Sequence, residues 1–320
     1  MLIQIIIFLV GLGLVVKGAD WLVDGSSAIA RRLGISDFVI GLTIVGMGTS
    51  APEMVVSFIG AIQGNADISI GNVIGSNIFN VMLILGITAV LCPMTITRMN
   101  KVKDIPINIL VTLLLLGLGM KHTLFGIGTD TLSRIEGGIF LLLFAAYIYM
   151  SFHYDSADSE EEPQENEKKI SKTMSAVMIL AGLAGLVIGG QMFVDSATSI
   201  AKTIGVSDKF IAITILAGGT SMPELATCIV AAAKKKGQLA LGNILGSNVF
   251  NILLILGGSA LIHPLSFAAI NMVDAGVLLL SALAIGISIY TFKKDKLDRA
   301  DGIFLLLMEI GYMTWLIIQK

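Results

Sequence analysis

The sequence predicts an all-α integral membrane protein with ten transmembrane helices, arranged as two inverted-topology repeats of five, with broken helices in the second and seventh spans. Three observations predict it. Hydrophobic residues fill 55% of the 320 positions, charged residues only 14%, and mean hydropathy is +0.88. A soluble domain of this size needs a charged surface, so composition excludes the ordinary globular class. Apolar runs near the ~20 residues that cross a hydrocarbon layer recur along the whole chain. Finally, the two halves of the sequence repeat each other.

Taken in order, the spans read 1–30, 37–62, 70–92, 105–120, 133–152, 173–200, 208–233, 240–262, 273–292 and 300–319. The first has no basic n-region and no small-residue cleavage site, so it reads as a retained helix rather than a signal peptide. Residues 1–152 form the first repeat, 153–172 a linker and 173–320 the second repeat. The linker is acidic, with Asp155, Asp158, Glu160, Glu161, Glu162, Glu165 and Glu167. It is short, lacks aromatics and lacks EF-hand glycine spacing, which favours a disordered cytoplasmic linker over a calcium sensor.

Loops between ten spans alternate sides, and the basic residues sort unevenly between them. One set holds Arg31, Arg32, Arg98, Lys101, Lys103, the Lys168–Lys172 group, Lys234 to Lys236 and the Lys293–Arg299 group; the other holds Lys121, Arg134, Lys202, Lys209 and Lys320. The positive-inside rule places the richer set in the cytoplasm and both termini outside. This is the pattern of a multi-pass protein of the cell's inner (plasma) membrane. Cys92 and Cys228 lie in different halves and read as reduced, packed thiols.

The halves align without gaps at an offset of 171 positions. Gly34-Ile-Ser-Asp37 faces Gly205-Val-Ser-Asp208, and Gly48-Thr-Ser-Ala-Pro-Glu53 faces Gly219-Thr-Ser-Met-Pro-Glu224. Gly71-Asn-Val-Ile-Gly-Ser-Asn-Ile-Phe-Asn80 faces Gly242-Asn-Ile-Leu-Gly-Ser-Asn-Val-Phe-Asn251. Five spans is an odd number, so the second copy enters the membrane upside down. Inverted repeats of this kind mark secondary transporters, with ion sites near the midplane. Duplication within a channel or an enzyme is the other reading.

Each Gly-Thr-Ser-X-Pro-Glu sits inside an apolar run. Proline removes a donor and clashes with the preceding turn, so the helices should break near Pro52 and Pro223. The break frees carbonyls around Gly46 to Thr49 and Ala217 to Thr220, tolerable at that depth only against protein or bound ions. Each following glutamate falls on the face of the threonine three to four residues earlier. Ser76 with Asn80, and Ser247 with Asn251, share a helical face at i, i+4 spacing. Gly71, Gly75, Gly242 and Gly246 would let helices approach closely.

An ionised carboxylate at the bilayer centre costs at least ~2.5–3.5 kcal/mol. Glu53 and Glu224 have no intramembrane Lys or Arg nearby in the repeat, so a divalent cation is the natural counter-charge. Carboxylate, amide, hydroxyl and carbonyl oxygens suit hard cations such as Ca²⁺ and Na⁺. Without that load, one or both glutamates should take up protons. Asn72, Asn77, Asn243 and Asn248 read as interhelical glue as readily as ligands. Glu309, in the tenth span, has no acidic counterpart in the fifth and reads as structural or lipid-side. His122, His153 and His263 all sit at span ends, leaving no obvious base for a serine nucleophile of an intramembrane hydrolase.

At these motifs the chain resembles the cation/calcium exchanger superfamily, in its prokaryotic sodium/calcium exchanger branch, over nearly its full length. The resemblance implies that spans 2, 3, 7 and 8 form an ion-binding core across which tilted spans 1 and 6 slide. Glu53 and Glu224 would be the shared carboxylates of the calcium and sodium sites. Thr49 and Thr220 would give backbone carbonyls to calcium. Ser50, Ser76, Ser221 and Ser247 would line flanking sodium sites with a carbonyl from Ala217, and Asn80 and Asn251 would complete the ring. The implied function is exchange of Na⁺ for Ca²⁺ by alternating access, electrogenic if several Na⁺ replace one Ca²⁺. Asparagine at 251, where potassium-dependent relatives typically carry aspartate, weakens any K⁺ requirement. Gly-Thr-Ser, where proton/calcium exchangers typically have Gly-Asn-Ala, favours sodium. Proton/calcium exchange on the same fold is the alternative, with a passive channel and a hydrolase more remote. No cofactor, nucleic acid or obligatory protein partner is called for; the partners are Ca²⁺, Na⁺ and the bilayer.

Overall fold

The computed structural model describes residues 2–153, 170–204, 218–288 and 295–318. In chain order the helices are α1 (Leu2–Leu33), α2 (Asp37–Thr49), α3 (Ala51–Ile62), α4 (Ala66–Leu91), α5 (Asn100–Gly119), α6 (Lys121–Phe125), α7 (Arg134–His153), α8 (Lys172–Thr203), α9 (Met222–Ala233), α10 (Gly237–Ile262), α11 (Met272–Ser288) and α12 (Arg299–Ile318). Two-residue strands β1 (Met94–Thr95), β2 (Thr131–Leu132), β3 (Leu265–Ser266) and β4 (Lys296–Leu297) lie between them. Among the described residues, seven helices (α1, α4, α5, α7, α8, α10 and α12) are long and apolar enough to cross a membrane; the bent pair α2–α3 makes an eighth, and α9 and α11 are shorter apolar helices. The acidic stretch from Asp155 to Glu167, Ala217 and the first half of the seventh span lie outside the described residues.

Local sequence fixes where these helices begin. Ser36 caps α2, its Oγ accepting from Val39 N at 3.2 Å, and Ser171 caps α8 from Met174 N at 3.1 Å. Reciprocal boxes start α7 and α12: Ser133 N donates to Glu136 Oε2 at 2.6 Å, and Asp298 N to Asp301 Oδ2 at 3.0 Å. Each satisfies backbone donors that a helix start leaves orphaned. The third and eighth spans begin earlier than the apolar pattern indicates, at Ala66 and Gly237. Periodicity locates a helix but not its capped polar first turn.

The two halves also match in their irregularities. In α4 the residues Asn80–Leu85, and in α10 the residues Asn251–Leu256, form π-helical turns. Such bulges widen a helix and re-aim the side chain at their start, here Asn80 and Asn251.

Burial separates a centre from a rim. The membrane-length window of α10 is 94% buried, against 22% for that of α1. Many apolar side chains of α1, α7, α8 and α12 therefore face outward, as with Leu2, Leu142, Leu180 and Ile318. Without a hydrophobic drive between helices in lipid, close packing holds the centre. A Cβ on Gly246 would lie 2.2 Å from Leu42 O and one on Gly242 2.2 Å from Phe38 O, so α2 and α10 touch backbone to backbone. Gly71 and Gly75 differ: nothing described lies within 4 Å of a Cβ there. At the rim, Gly18 of α1 and Gly182 of α8 meet in the same way: a Cβ on either would lie 2.7 Å from the other's carbonyl oxygen.

Two short ribbons tie the halves together. β1 pairs antiparallel with β4, Met94 opposite Leu297, and β2 with β3, Leu132 opposite Leu265. Each half thus supplies one strand to each ribbon.

Candidate functional site

The break between α2 and α3 falls at Ser50, whose φ and ψ of −81° and 9° interrupt the helix and bend it by 49°. Pro52 lies in the first turn of the resumed helix, where its missing donor is not needed. Ser221, before α9, has the matching values of −87° and 8°, with Pro223 again in the first turn. The second span therefore breaks just ahead of Pro52, and ahead of Pro223 the described chain runs through a turn at 218–221 into α9. Gly46 O, one of the carbonyls expected to be free, accepts from Ser50 N at 3.1 Å and from Ser247 Oγ at 3.3 Å.

Glu53 and Glu224 emerge in the first turns of α3 and α9, each 1% exposed. Donors reach each carboxylate from the opposite half. Ser50 Oγ donates to Glu224 Oε1 at 2.9 Å, and Ser221 Oγ to Glu53 Oε1 at 3.1 Å; Ser76 Oγ adds a longer bond to Glu53 Oε1 at 3.4 Å. The second oxygen of each carboxylate, Glu53 Oε2 and Glu224 Oε2, is buried without a hydrogen-bond donor. So are Asn80 Oδ1 and Asn251 Oδ1. Their amide nitrogens are occupied: Asn80 Nδ2 donates to Asn248 Oδ1 at 3.1 Å and Asn251 Nδ2 to Asn77 Oδ1 at 2.9 Å. Among the described residues neither glutamate has a salt-bridge partner.

Four buried oxygens here, two of them on carboxylates, have lone pairs and no donors, the kind of oxygen a hard cation takes. In a protein interior each is costly unless such a charge offsets it.

A model of the sodium/calcium exchanger protein family matches residues 3–153 and 174–318. The chain belongs to that family.

Relatives of this exchanger cover it almost end to end. It is 39% identical to CaxA of Alkalimonas amylolytica over 98% of each chain, and 33% identical to the sodium/calcium exchanger MaX1 of Methanosarcina acetivorans, again over 98% of each. Its structure matches that of the sodium-calcium exchanger NCX_Mj soaked with 2.5 mM Na⁺ and 0.1 mM Ca²⁺, with a TM-score of 0.82, 32% identity and 98% of both chains covered. It is thus a multi-pass cation/calcium antiporter, and the family is one of exchangers rather than enzymes, which removes the intramembrane hydrolase.

The remaining sequence-read residues are distributed as follows. Thr49 is buried, with its hydroxyl 3.2 Å from Asn243 Oδ1 and 3.4 Å from Gly46 O. Thr220 closes the turn before Ser221. Ser247 is fully buried on α10 and points to Gly46 O. The four further asparagines behave as glue, and in pairs. Asn72 Nδ2 donates to Ser57 Oγ at 3.0 Å and to Glu53 O at 3.1 Å; Asn243 Nδ2 meets Cys228 Sγ at 3.3 Å, Cys228 being the counterpart of Ser57. Both cysteines are free thiols. Glu309 is 4% exposed on the stripe of α12 with Asp301, Gly302 and Leu305, which packs against α4; a lipid-side position is therefore ruled out.

Proposed function

We propose that this exchanger carries one Ca²⁺ in one direction and several Na⁺ in the other, at a site formed by Glu53 and Glu224 with Asn80 and Asn251. The observation that carries the reading is the set of four donor-free buried oxygens contributed equally by the two halves. Thr49, Thr220 and Ala217 would add main-chain carbonyls, and Ser50, Ser76, Ser221 and Ser247 would line the flanking sodium positions. The two carboxylates balance one divalent cation; more than two Na⁺ overbalance them, making exchange electrogenic, and a charge crossing the membrane field responds by ~2.3 kcal/mol per 100 mV. A fully amide residue at 251 leaves no third carboxylate for K⁺. Ten spans as two inverted repeats of five are supported by the doubled irregularities of α4 and α10 and by the ribbons that exchange strands between halves; termini outside the cytoplasm of an inner membrane are supported by the uneven Lys and Arg content of the loops. Alternating access would move α1 and α8, which pack on each other through glycines, past the central helices.

The test is calcium uptake into proteoliposomes loaded with Na⁺, with H⁺, or with Na⁺ facing external K⁺. The proposal expects uptake driven by the Na⁺ gradient, unchanged by K⁺, and accelerated by a potential of the sign that favours Na⁺ exit. Uptake driven by protons and indifferent to Na⁺ would replace it with proton/calcium exchange.

A further inference from the structure

An amide side chain is polar in opposite senses at its two ends, and only the oxygen end suits a cation. Something must therefore decide which end Asn80 and Asn251 show to the site. For Asn251 the structure contains a complete answer. Asn77 Nδ2 donates to the main-chain carbonyl of Asn248 at 3.2 Å. A main-chain carbonyl can only accept, so that contact fixes which end of the Asn77 amide faces α10. The other end, Asn77 Oδ1, can only accept, so Asn251 must offer it Nδ2, which it does at 2.9 Å. Asn251 Oδ1 is then left pointing away from Asn77, buried and without a donor. Polarity passes from a backbone group that cannot turn over, through Asn77, to the oxygen that faces the cation. Both asparagines are almost wholly buried, at 2% and 0% exposed. Asn248 Oδ1 receives Asn80 Nδ2 in the same sense across the halves.

We propose that Asn77 is a positioning residue for the cation site: held by the Asn248 carbonyl, it fixes the amide of Asn251 with its oxygen toward the bound Ca²⁺. The assignment rests on the site proposed above and adds a residue that is not itself a ligand. Removing the acceptor lets the Asn251 amide turn over and present N–H groups to the cation. Loss of a partner that orients a ligand typically weakens metal binding by about 10–100-fold.

Aspartate at 251 makes the test specific, because its two carboxylate oxygens are equivalent and need no orientation. The readout is the Ca²⁺ concentration giving half-maximal thermal stabilisation of detergent-purified protein, which reports binding without requiring transport. Asn77→Leu is expected to raise that concentration by about 10–100-fold when residue 251 is asparagine, and by less than about threefold in an Asn251→Asp background. Equal Ca²⁺ shifts in the two backgrounds would show that Asn77 only packs, and would overturn the assignment while leaving the site standing. A wild-type protein that Ca²⁺ does not stabilise would overturn the site and the assignment together. If Asn77→Leu yields no folded protein, Asn77→Ala is carried through the same cycle against the same two outcomes.

Discussion

Ser50 Oγ donates to Glu224 Oε1 at 2.9 Å, so the residue that breaks one half's helix holds the carboxylate of the other. Ser221 returns the arrangement to Glu53 at 3.1 Å. A hydrogen bond to a charged group contributes about 1.5–3 kcal/mol, and here it also fixes which carboxylate oxygen remains open. Ser50→Ala and Ser221→Ala should each raise the Ca²⁺ concentration for half-maximal exchange by about 10–150-fold, the range that such an energy implies. Transport assays in proteoliposomes check this; an unchanged value for both variants would show that the serines do not orient the glutamates.

Gly246 and Gly75 occupy equivalent places in the doubled motif but have different surroundings. A methyl at Gly246 would press to 2.2 Å from Leu42 O, whereas one at Gly75 meets nothing described within 4 Å. Overpacking against rigid backbone costs about 1–3 kcal/mol or more. Gly246→Ala should therefore lower the melting temperature measurably in detergent, with Gly75→Ala close to wild type. Equal losses would contradict the packing described for α2 and α10.

The doubled motifs made much of this legible from sequence: the two buried glutamates, the break ahead of Pro52 and the i, i+4 partners Asn80 and Asn251 follow from two copies of one pattern. What periodicity does not contain is the neighbour across an interface. It assigns Ser50 to a helix face but not to Glu224 of the other half, and it leaves Asn77 undecided between glue and ligand, because only the Asn248 main chain resolves its polarity. Glu309 was harder still. It has no symmetric partner, and the stripe Asp301, Gly302, Leu305 and Glu309 that turns it inward mixes acidic, small and apolar residues.

Lys234, just past α9, reaches α1, its Nζ 2.6 Å from both Asp20 Oδ1 and Asp24 Oδ1. The equivalent position in the first half is the exposed Gln63, so the tie exists on one face only. Burial pulls the ammonium down, but the hydrogen bonds and charges of Asp20 and Asp24 outweigh it and hold Lys234 above the ordinary lysine value of 10.5. A raised folded value means stability that is fully present below the ordinary value of 10.5 and lost as pH climbs from there through the folded value. Lys234→Gln should cost about 0.5–1 kcal/mol, the discounted worth of a partly exposed cluster. The melting-temperature gap to wild type should hold steady across neutral pH, shrink in high salt and close only in strong alkali. A gap that opens with rising pH would refute the sign.

Glu309 Oε2 is buried without a donor, and none of the four oxygens proposed to hold the cation belongs to α12. Glu309→Gln should accordingly keep Ca²⁺ exchange within about threefold of wild type while relieving the cost of a buried acid. Abolished exchange in a folded variant would move Glu309 into the transport machinery.

The most direct test of the account removes one charge from the pair. Purified wild type, Glu53→Gln and Glu224→Gln, each shown to be folded by a monodisperse elution profile, are reconstituted with internal Na⁺ and given external calcium. Wild type should accumulate calcium, and each glutamine variant, left with one carboxylate for a divalent ion, should fall to the level of protein-free vesicles. A Glu53→Gln variant that takes up calcium as wild type does would contradict the shared-carboxylate site.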